Sequence, residues 1–581
     1  MKKILLIAVL MLVAGSASAY DFMSSGLCYK ITGTNPNTVM VTCQNQYDAS
    51  STKARYDRLD GWGRLEIPQY VSNNGKTYTV TAIDDYAFAY TKGDPTLITI
   101  APSVETIGAY AFRNFGSENY ELSFVNPANS RLTTIKEHAF HDNGTRSKLT
   151  GSLYLPASLR TIERYAFFTS GLTSVSLPGQ LTTIGDNAFY NNLFTTLDVP
   201  GSVTSIGNYA FALSQLASVT LNEGITTIGF GMFNSCRKLT SIYLPSTLTT
   251  IGQRAFEDAN TLPSIEIPIS VTEIGTLAFR GDSALTTITI PSGVTTIGKS
   301  VFLECKALKS AVVKNPVLGE RQFYGCISLD NISLSNSITE IPLLCFSGTA
   351  FKKFTIPASI TTIGDNAFQN TQINTLTVDA DLVTVGANVF TGSPVTTLNV
   401  NSNTFKASLF PELKNMVTSA SFGNNVTAIA ESALQNYAVL KTLTLPAGLA
   451  SIGNSAFSGC TQLMEVTAFM PRPFSIDASV FEGVQQHGYC DLHVIDGAGP
   501  RYRAMEVWKE FTMIFEDAVA SPTQGDLDGN GVLEVNDVVI LAELAMSGGA
   551  TAEQISIGDL DGSGTIDVND VVMLAGMVMG S

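Results

Sequence analysis

The sequence predicts a mostly β repeat solenoid of about 18 turns, each 22–23 residues long, followed by a small α-helical calcium-binding module. Three observations predict it. One motif recurs at a nearly fixed interval through most of the chain. Within the motif, apolar and polar residues alternate over strand-length pieces. The acidic residues concentrate in a separate C-terminal stretch that is itself duplicated.

The interval is read from the Phe of an "IGxxAF" element. Phe167, Phe189, Phe211, Phe233, Phe256, Phe279 and Phe302 follow one another at spacings of 22, 22, 22, 23, 23 and 23. Phe88, Phe112 and Phe140 extend the series upstream, and Phe323, Phe346, Phe368, Phe390, Leu434, Phe457 and Phe481 extend it downstream. A degenerate repeat near Leu413 fills the double interval before Leu434. In "LxxIxLP" the apolar positions point inward from a short strand, and Pro ends it because it has no N–H for a ladder. "LTTIG" is a second extended piece closed by Gly, and "xxAF" drives an aromatic ring inside. One unit cannot bury its apolar side alone, whereas stacked copies share a continuous core.

The flanks divide the rest of the chain. Residues 1–19 carry Lys2 and Lys3, an apolar run from Ile4 to Val13 and the small-residue pattern Ala17-Ser18-Ala19, which together predict a secretory signal peptide cut before Tyr20. The run falls short of the roughly 20 residues that span a bilayer, so no membrane insertion is expected. Ser16 stands where a lipidated Cys would be, so a lipoprotein is not expected either. Residues 20–79 alternate polar and apolar positions and predict an N-terminal β cap over the first strand edge. The solenoid is assigned to 80–481, a C-terminal cap with Trp508 and Phe511 to 482–517, a linker to 518–524 and the calcium module to 525–581.

Composition narrows the function. With 34 Lys+Arg against 50 Asp+Glu, the net charge is −16, which argues against a nucleic-acid partner. Apolar residues make up 45%, which excludes a disordered chain, and charged residues only 14%, against about 25% in ordinary soluble domains. Residues 521–581 hold seven Asp, three Glu and no Lys or Arg, so this stretch is expected to handle cations. Of the eight cysteines, Cys236, Cys305, Cys326 and Cys460 each lie three residues after a marker Phe, a position expected to be buried and filled by a small hydrophobe. Disulfides between Cys28 and Cys43, or Cys305 and Cys326, remain open at this level.

The repeat "LxxIxIPxxLTxIGxxAFxxC" resembles the BspA-like leucine-rich repeat of secreted and surface proteins, over about 80–481. The resemblance implies a leucine-rich-repeat fold and a role in adhesion or protein binding, without a catalytic centre. The outward positions are Thr-rich, as at Thr173, Thr240, Thr286, Thr287 and Thr396. Thr is both a good exposed strand former and a possible contact, so the solenoid ligand, protein or glycan, stays unnamed. His138 and His141 straddle Phe140 and are expected to face outward as repeat positions and not to bind metal. No nucleophile elbow, phosphate loop or zinc-protease motif occurs, so the chain is not expected to be an enzyme.

In the tail, GDLDGNGVLEVNDVVILAELAMSG from 525 and GDLDGSGTIDVNDVVMLAGMVMGS from 558 share 14 of 24 positions at an offset of 33. Each opens with a twelve-residue loop of EF-hand kind. The first offers Asp526, Asp528, Asn530, Val532 through its carbonyl, Glu534 and Asp537. The second offers Asp559, Asp561, Ser563, Thr565, Asp567 and Asp570. Hard oxygen donors at these offsets, with Gly531 and Gly564 at the sharp turns, suit two calcium ions. The duplicated loop and helix resemble a type I dockerin. That resemblance implies folding on calcium and docking to a cohesin-like partner through Val535, Asn536, Val568 and Asn569. The basic pair usual farther along the helix is replaced by Ala542-Glu543 and Ala575-Gly576. The expected function is a secreted, non-catalytic binding or adhesion protein, attached through the dockerin. The alternative is a non-catalytic subunit of a dockerin–cohesin polysaccharide-degrading complex.

Overall fold

The computed structural model describes residues 19–45, 56, 59, 61–116, 118–142, 148–484, 489–511, 513–518, 525, 527, 535–560 and 565–579. The signal-peptide reading of 1–19 therefore lies almost wholly outside the described residues. Two compact units are present. One runs to Asn315 and takes in Gly325–Ser333; the other holds Pro316–Tyr324 and runs on from Leu334.

In the first unit each turn contributes to three ladders. Four-residue strands such as Thr196–Val199, Ser218–Leu221 and Thr287–Ile290 pair in parallel and alternate exposed and buried residues, so one face is solvated and the other is core. Pro200 and Pro291 follow directly after two of them and stop the pairing. Two-residue "TI" strands, Thr134–Ile135, Thr161–Ile162, Thr183–Ile184 and Ser205–Ile206, form the second ladder. After Ile184 and Ile206 the next residue is Gly because the preceding turn lies against it: at Gly185 a Cβ would collide with the Arg164 backbone.

The third ladder is bent. The residue two before each marker Phe adopts left-handed φ, as at Tyr110 (57°), His138 (55°), Tyr165 (57°) and Asn187 (54°). A second left-handed residue follows two after the Phe, as at Thr169 (58°) and Asn191 (56°). These conformations are costly for residues with a side chain. Turn-to-turn bonds such as Tyr165 N–H to Asp186 O at 2.9 Å, Phe167 N–H to Ala188 O at 2.8 Å and Thr169 N–H to Tyr190 O at 2.8 Å hold them. Inside, the marker rings stack in one column, with centroids 5.1 Å apart for Phe167–Phe189 and 5.3 Å for Phe256–Phe279.

At the start of this unit the antiparallel strands Phe22–Ser24, Leu27–Thr34 and Asn37–Thr42 lead into Lys76–Ile83, which also pairs with Tyr70–Asn73 and with the first short strand, Thr106–Ile107. Tyr56 stacks on Phe88 at 5.1 Å and donates its hydroxyl to the Thr42 carbonyl at 2.7 Å, closing the ring column at that end.

The second unit repeats the plan. Eight parallel strands run from Lys353–Ile356 to Met513–Phe515, and Phe346, Phe368 and Phe390 stack at 5.4 and 5.3 Å. Where the marker series skips, a 3-10 turn over Pro411–Asn415 buries Leu413, and Ser419–Phe422 keeps the strand ladder unbroken. Phe481 meets the edges of Trp508 at 5.8 Å and Phe511 at 5.2 Å. Trp508 is buried and donates its indole N–H to Phe474 O at 2.9 Å. A short helix, α1 (Gly499–Arg503), packs beside it.

Three helices follow: α2 (Val535–Ser547), α3 (Ala552–Gly558) and α4 (Val568–Met579). Helices α2 and α4 pack together and bury Leu541 and Leu574, equivalent residues of the duplication. The sequence reading had no helix between the two copies. Thr551 and Gln554 form a capping box that starts α3.

Candidate functional site

The exposed strand face is the first candidate. Thr240, Thr286, Thr287 and Lys353 are exposed, and Tyr154 and Tyr243 project from it with 68% and 56% of their surface free. Many threonines here are already engaged. Thr240 donates its hydroxyl to Ala217 O at 3.1 Å, Thr286 to Pro263 O at 3.2 Å and Thr396 to Asn374 O at 3.4 Å, each reaching back one turn. Their hydroxyl protons tie successive turns together. A cleft of about 360 Å³ is lined by Ser176, Asp198, Thr220 and Asn222, with Asn222 donating to the Asp198 carboxylate. A second, of about 690 Å³, is lined by Glu266, Thr289, Ser292, Lys314 and the exposed Ile269.

The C-terminal loops are the second candidate. Asp526, Asp528, Asn530, Val532, Glu534, Asp561 and Ser563 lie outside the described residues. Asp537 and Asp570 are fully buried in the first turns of α2 and α4. Each accepts a backbone N–H from the start of its own loop, Leu527 and Leu560 respectively, at 2.8 Å. Asp567 accepts the Asn569 N–H at 2.7 Å and donates its own N–H to Asp570 at 2.7 Å. Asp559 ends α3, and Thr565 is exposed. The donor set is all oxygen, a set that suits calcium better than zinc. Among the described residues, no three His, Cys, Asp or Glu side chains converge as a metal cluster. Val535, Asn536, Val568 and Asn569 are all exposed at the two helix starts.

Two expectations need correction. His138 and His141 do not simply face outward: His141 is buried and His138 half-buried, their Nδ1 atoms 2.8 Å apart. His138 is sandwiched between Tyr110 and Tyr165 at 4.6 Å each. Burial first, then the neighbouring His141 and Arg113, lower its pKa to about 4. Among the described residues the position three after a marker Phe is buried as expected, yet at several turns it does more than hold a small hydrophobe. Ser214 donates to Phe189 O at 3.2 Å, Cys236 to Phe211 O at 3.3 Å, Cys305 to Phe279 O at 3.1 Å and Ser393 to Phe368 O at 2.8 Å. At these four turns it places a donor against the preceding turn. The run Ser170, Asn192, Ser214, Cys236 at one offset was the available signal. All eight cysteines are free thiols and buried.

Comparison with protein families agrees with the repeat architecture. A family model described as the BspA type leucine rich repeat region matches at 76–193, 133–261, 226–319, 314–416 and 401–487. It is a repeat family and not a catalytic one. Among solved structures, a leucine-rich repeat protein from Bacteroides ovatus is 23% identical, covers 82% of this chain and 100% of its own, and aligns with a TM-score of 0.45. The pneumococcal vaccine antigen PcpA is 18% identical over 86% of this chain and 100% of its own, with a TM-score of 0.34. A leucine rich cell surface protein from Faecalibacterium prausnitzii is 19% identical over 77% of this chain and 94% of its own, with a TM-score of 0.30. No curated protein sequence matches. Among the described residues, no helix is long and apolar enough to cross a membrane.

Proposed function

We propose, from the premise that this chain belongs to the BspA type leucine-rich-repeat family, that it is a secreted, non-catalytic binding protein. The repeat array offers the recognition surface, and a dockerin-like tail attaches it to a cohesin-type partner. The observation that carries the first half is the solvated strand face. Its threonine hydroxyl protons join turns, while clefts lined by acid, amide, hydroxyl and lysine side chains open along it. Such a surface reads a ligand by contact.

The second half rests on Asp537 and Asp570. Two carboxylates fully buried at equivalent places, in a stretch without Lys or Arg, call for another cation. Calcium supplies it. Asp526, Asp528, Asn530, Val532, Glu534 and Asp537 would hold one ion, and Asp559, Asp561, Ser563, Thr565, Asp567 and Asp570 the other. Bound calcium neutralises the loops' mutual repulsion and couples metal binding to folding of the tail. Val535, Asn536, Val568 and Asn569 then present the partner surface.

Two assays test the reading. Full-length protein is passed over immobilised matrix proteins and glycans, and saturable binding to a member of either set supports the recognition role. Retention on an immobilised type I cohesin that is lost in EGTA supports the attachment role. Binding to neither matrix protein nor glycan contradicts the first, and calcium-insensitive retention contradicts the second.

A further inference from the structure

The N-terminal turns hold a cleft of about 450 Å³ that the repeat positions do not account for. Trp62, Arg64, Glu66, Tyr70, Ser25 and Ser72 line it. Its volume lies in the roughly 300–1,000 Å³ span of small-ligand sites. Trp62 is one of two tryptophans, and the other, Trp508, is buried in the C-terminal cap. The Trp62 ring edge lies against Gly26, where φ is +80° and an added Cβ would sit 2.6 Å from Trp62 Cζ2. That turn must therefore be glycine, and it fixes the half-buried ring before any ligand arrives. The indole N–H has no hydrogen-bond partner among the described residues.

Arg64 and Glu66 alternate with the buried Leu65 and Ile67, so both project from the solvated face of strand Arg64–Ile67. Two residues along a strand places them about 7 Å apart. They do not pair with each other. Arg64 donates Nε–H to Thr99 Oγ1 at 3.0 Å, which anchors the guanidinium, and its terminal nitrogens have no partner among the described residues. The Glu66 carboxylate has no partner among the described residues.

A carboxylate only accepts hydrogen bonds and a guanidinium only donates them. Side by side they are matched by a ligand whose groups do both, and a vicinal diol does both. An anionic ligand is opposed by Glu66 and a cationic one by Arg64, so the pair favours a neutral ligand. Trp62 adds a flat apolar face suited to the C–H face of a sugar ring, and the serines add hydroxyl partners. We infer that this cleft binds a neutral pyranoside, stacked on Trp62, with adjacent hydroxyls shared between Glu66 and Arg64. The inference rests on the reading of the chain as a binding protein and gives it a site and a ligand class.

The test is calorimetric titration of the full chain with maltose, cellobiose and lactose, with digalacturonic acid as an anionic control and tryptophan emission as a second readout. At least one neutral disaccharide is expected to bind saturably and shift the emission, while the anionic sugar does not bind. Trp62→Ala and Glu66→Gln should each weaken binding at least tenfold with thermal unfolding unchanged. Tyr489→Ala, at an exposed residue outside the cleft, should leave binding unchanged. Failure of all three neutral sugars to bind, a preference for the anionic sugar, or affinity that survives both cleft variants overturns the inference. A chain that captures a matrix protein but no sugar also overturns it, and leaves the broader binding role standing.

Discussion

Asp282 occupies the donor column with a group that, when ionised, has nothing to donate. It lies three residues after Phe279, and the register seen for Cys305 on Phe279 O and Cys236 on Phe211 O puts the Phe256 carbonyl opposite it. Asp282 is 1% exposed, and neither carboxyl oxygen has a hydrogen-bond partner among the described residues. The nearby Ala259 N–H, which would offset a charge, already donates to Phe256 O at 2.9 Å. Burial above all, and then Asp258 and Glu257, push the carboxyl well above its usual range. Burial accordingly favours the neutral form of Asp282, in a place where neighbouring turns carry a donor.

The perturbation is Asp282→Asn, which supplies a permanent donor of the same shape, as Asn192 does toward Phe167 O at 2.9 Å. Because the folded pKa is raised, the acid costs nothing below about pH 4 and costs about 1.4 kcal/mol more per unit as pH climbs toward that folded pKa. Relieving a buried, poorly satisfied polar group is worth about 1–3 kcal/mol, so the variant should be more stable by at least that at pH 8. The gain should vanish near pH 4. Urea unfolding followed by circular dichroism across that range measures it. A destabilised variant at pH 8, or a difference that does not change with pH, would refute the reasoning.

Phe256 is fully buried, stacked on Phe233 at 5.6 Å and Phe279 at 5.3 Å, so Phe256→Ala should lower stability by about 3–5 kcal/mol in chemical denaturation. His138 should make the N-terminal turns acid-sensitive. Its folded pKa of about 4 lies below the ordinary 6.5, so it is neutral when folded, and stability is lost as pH falls between those values. After allowance for the ring's partial exposure the loss should be about 1–2 kcal/mol. His138→Asn, a residue that tolerates the left-handed backbone as Asn187 does, should flatten that acid limb in thermal melts, and an unchanged limb would exclude the pair as its source.

Much of the repeat was legible because its spacing is rigid. Every marker Phe, and Leu413 and Leu434 where the marker changes, falls in the core. The left-handed residues flanking "AF" were not read, because Tyr, His, Thr, Arg and Leu share those places and none declares positive φ. The bonds between turns, and not the side chains, enforce that conformation. The Asn and Gly recurring two after the Phe, as at Asn191, Gly281 and Asn370, were the faint signal. The donor column was misread from its cysteines, since a thiol passes for a hydrophobe until its carbonyl partner is seen. The cleft around Trp62 was beyond reach, for it joins a hairpin turn at Gly26 to a strand nearly forty residues on. No local pattern marks such a meeting.

Calcium titration of the intact, chelator-treated chain by calorimetry tests the proposed attachment of this recognition protein most directly. Two ions per chain are expected, with Asp537→Asn removing one and Asp570→Asn the other. Absence of binding, or a stoichiometry that neither substitution changes, would contradict the account.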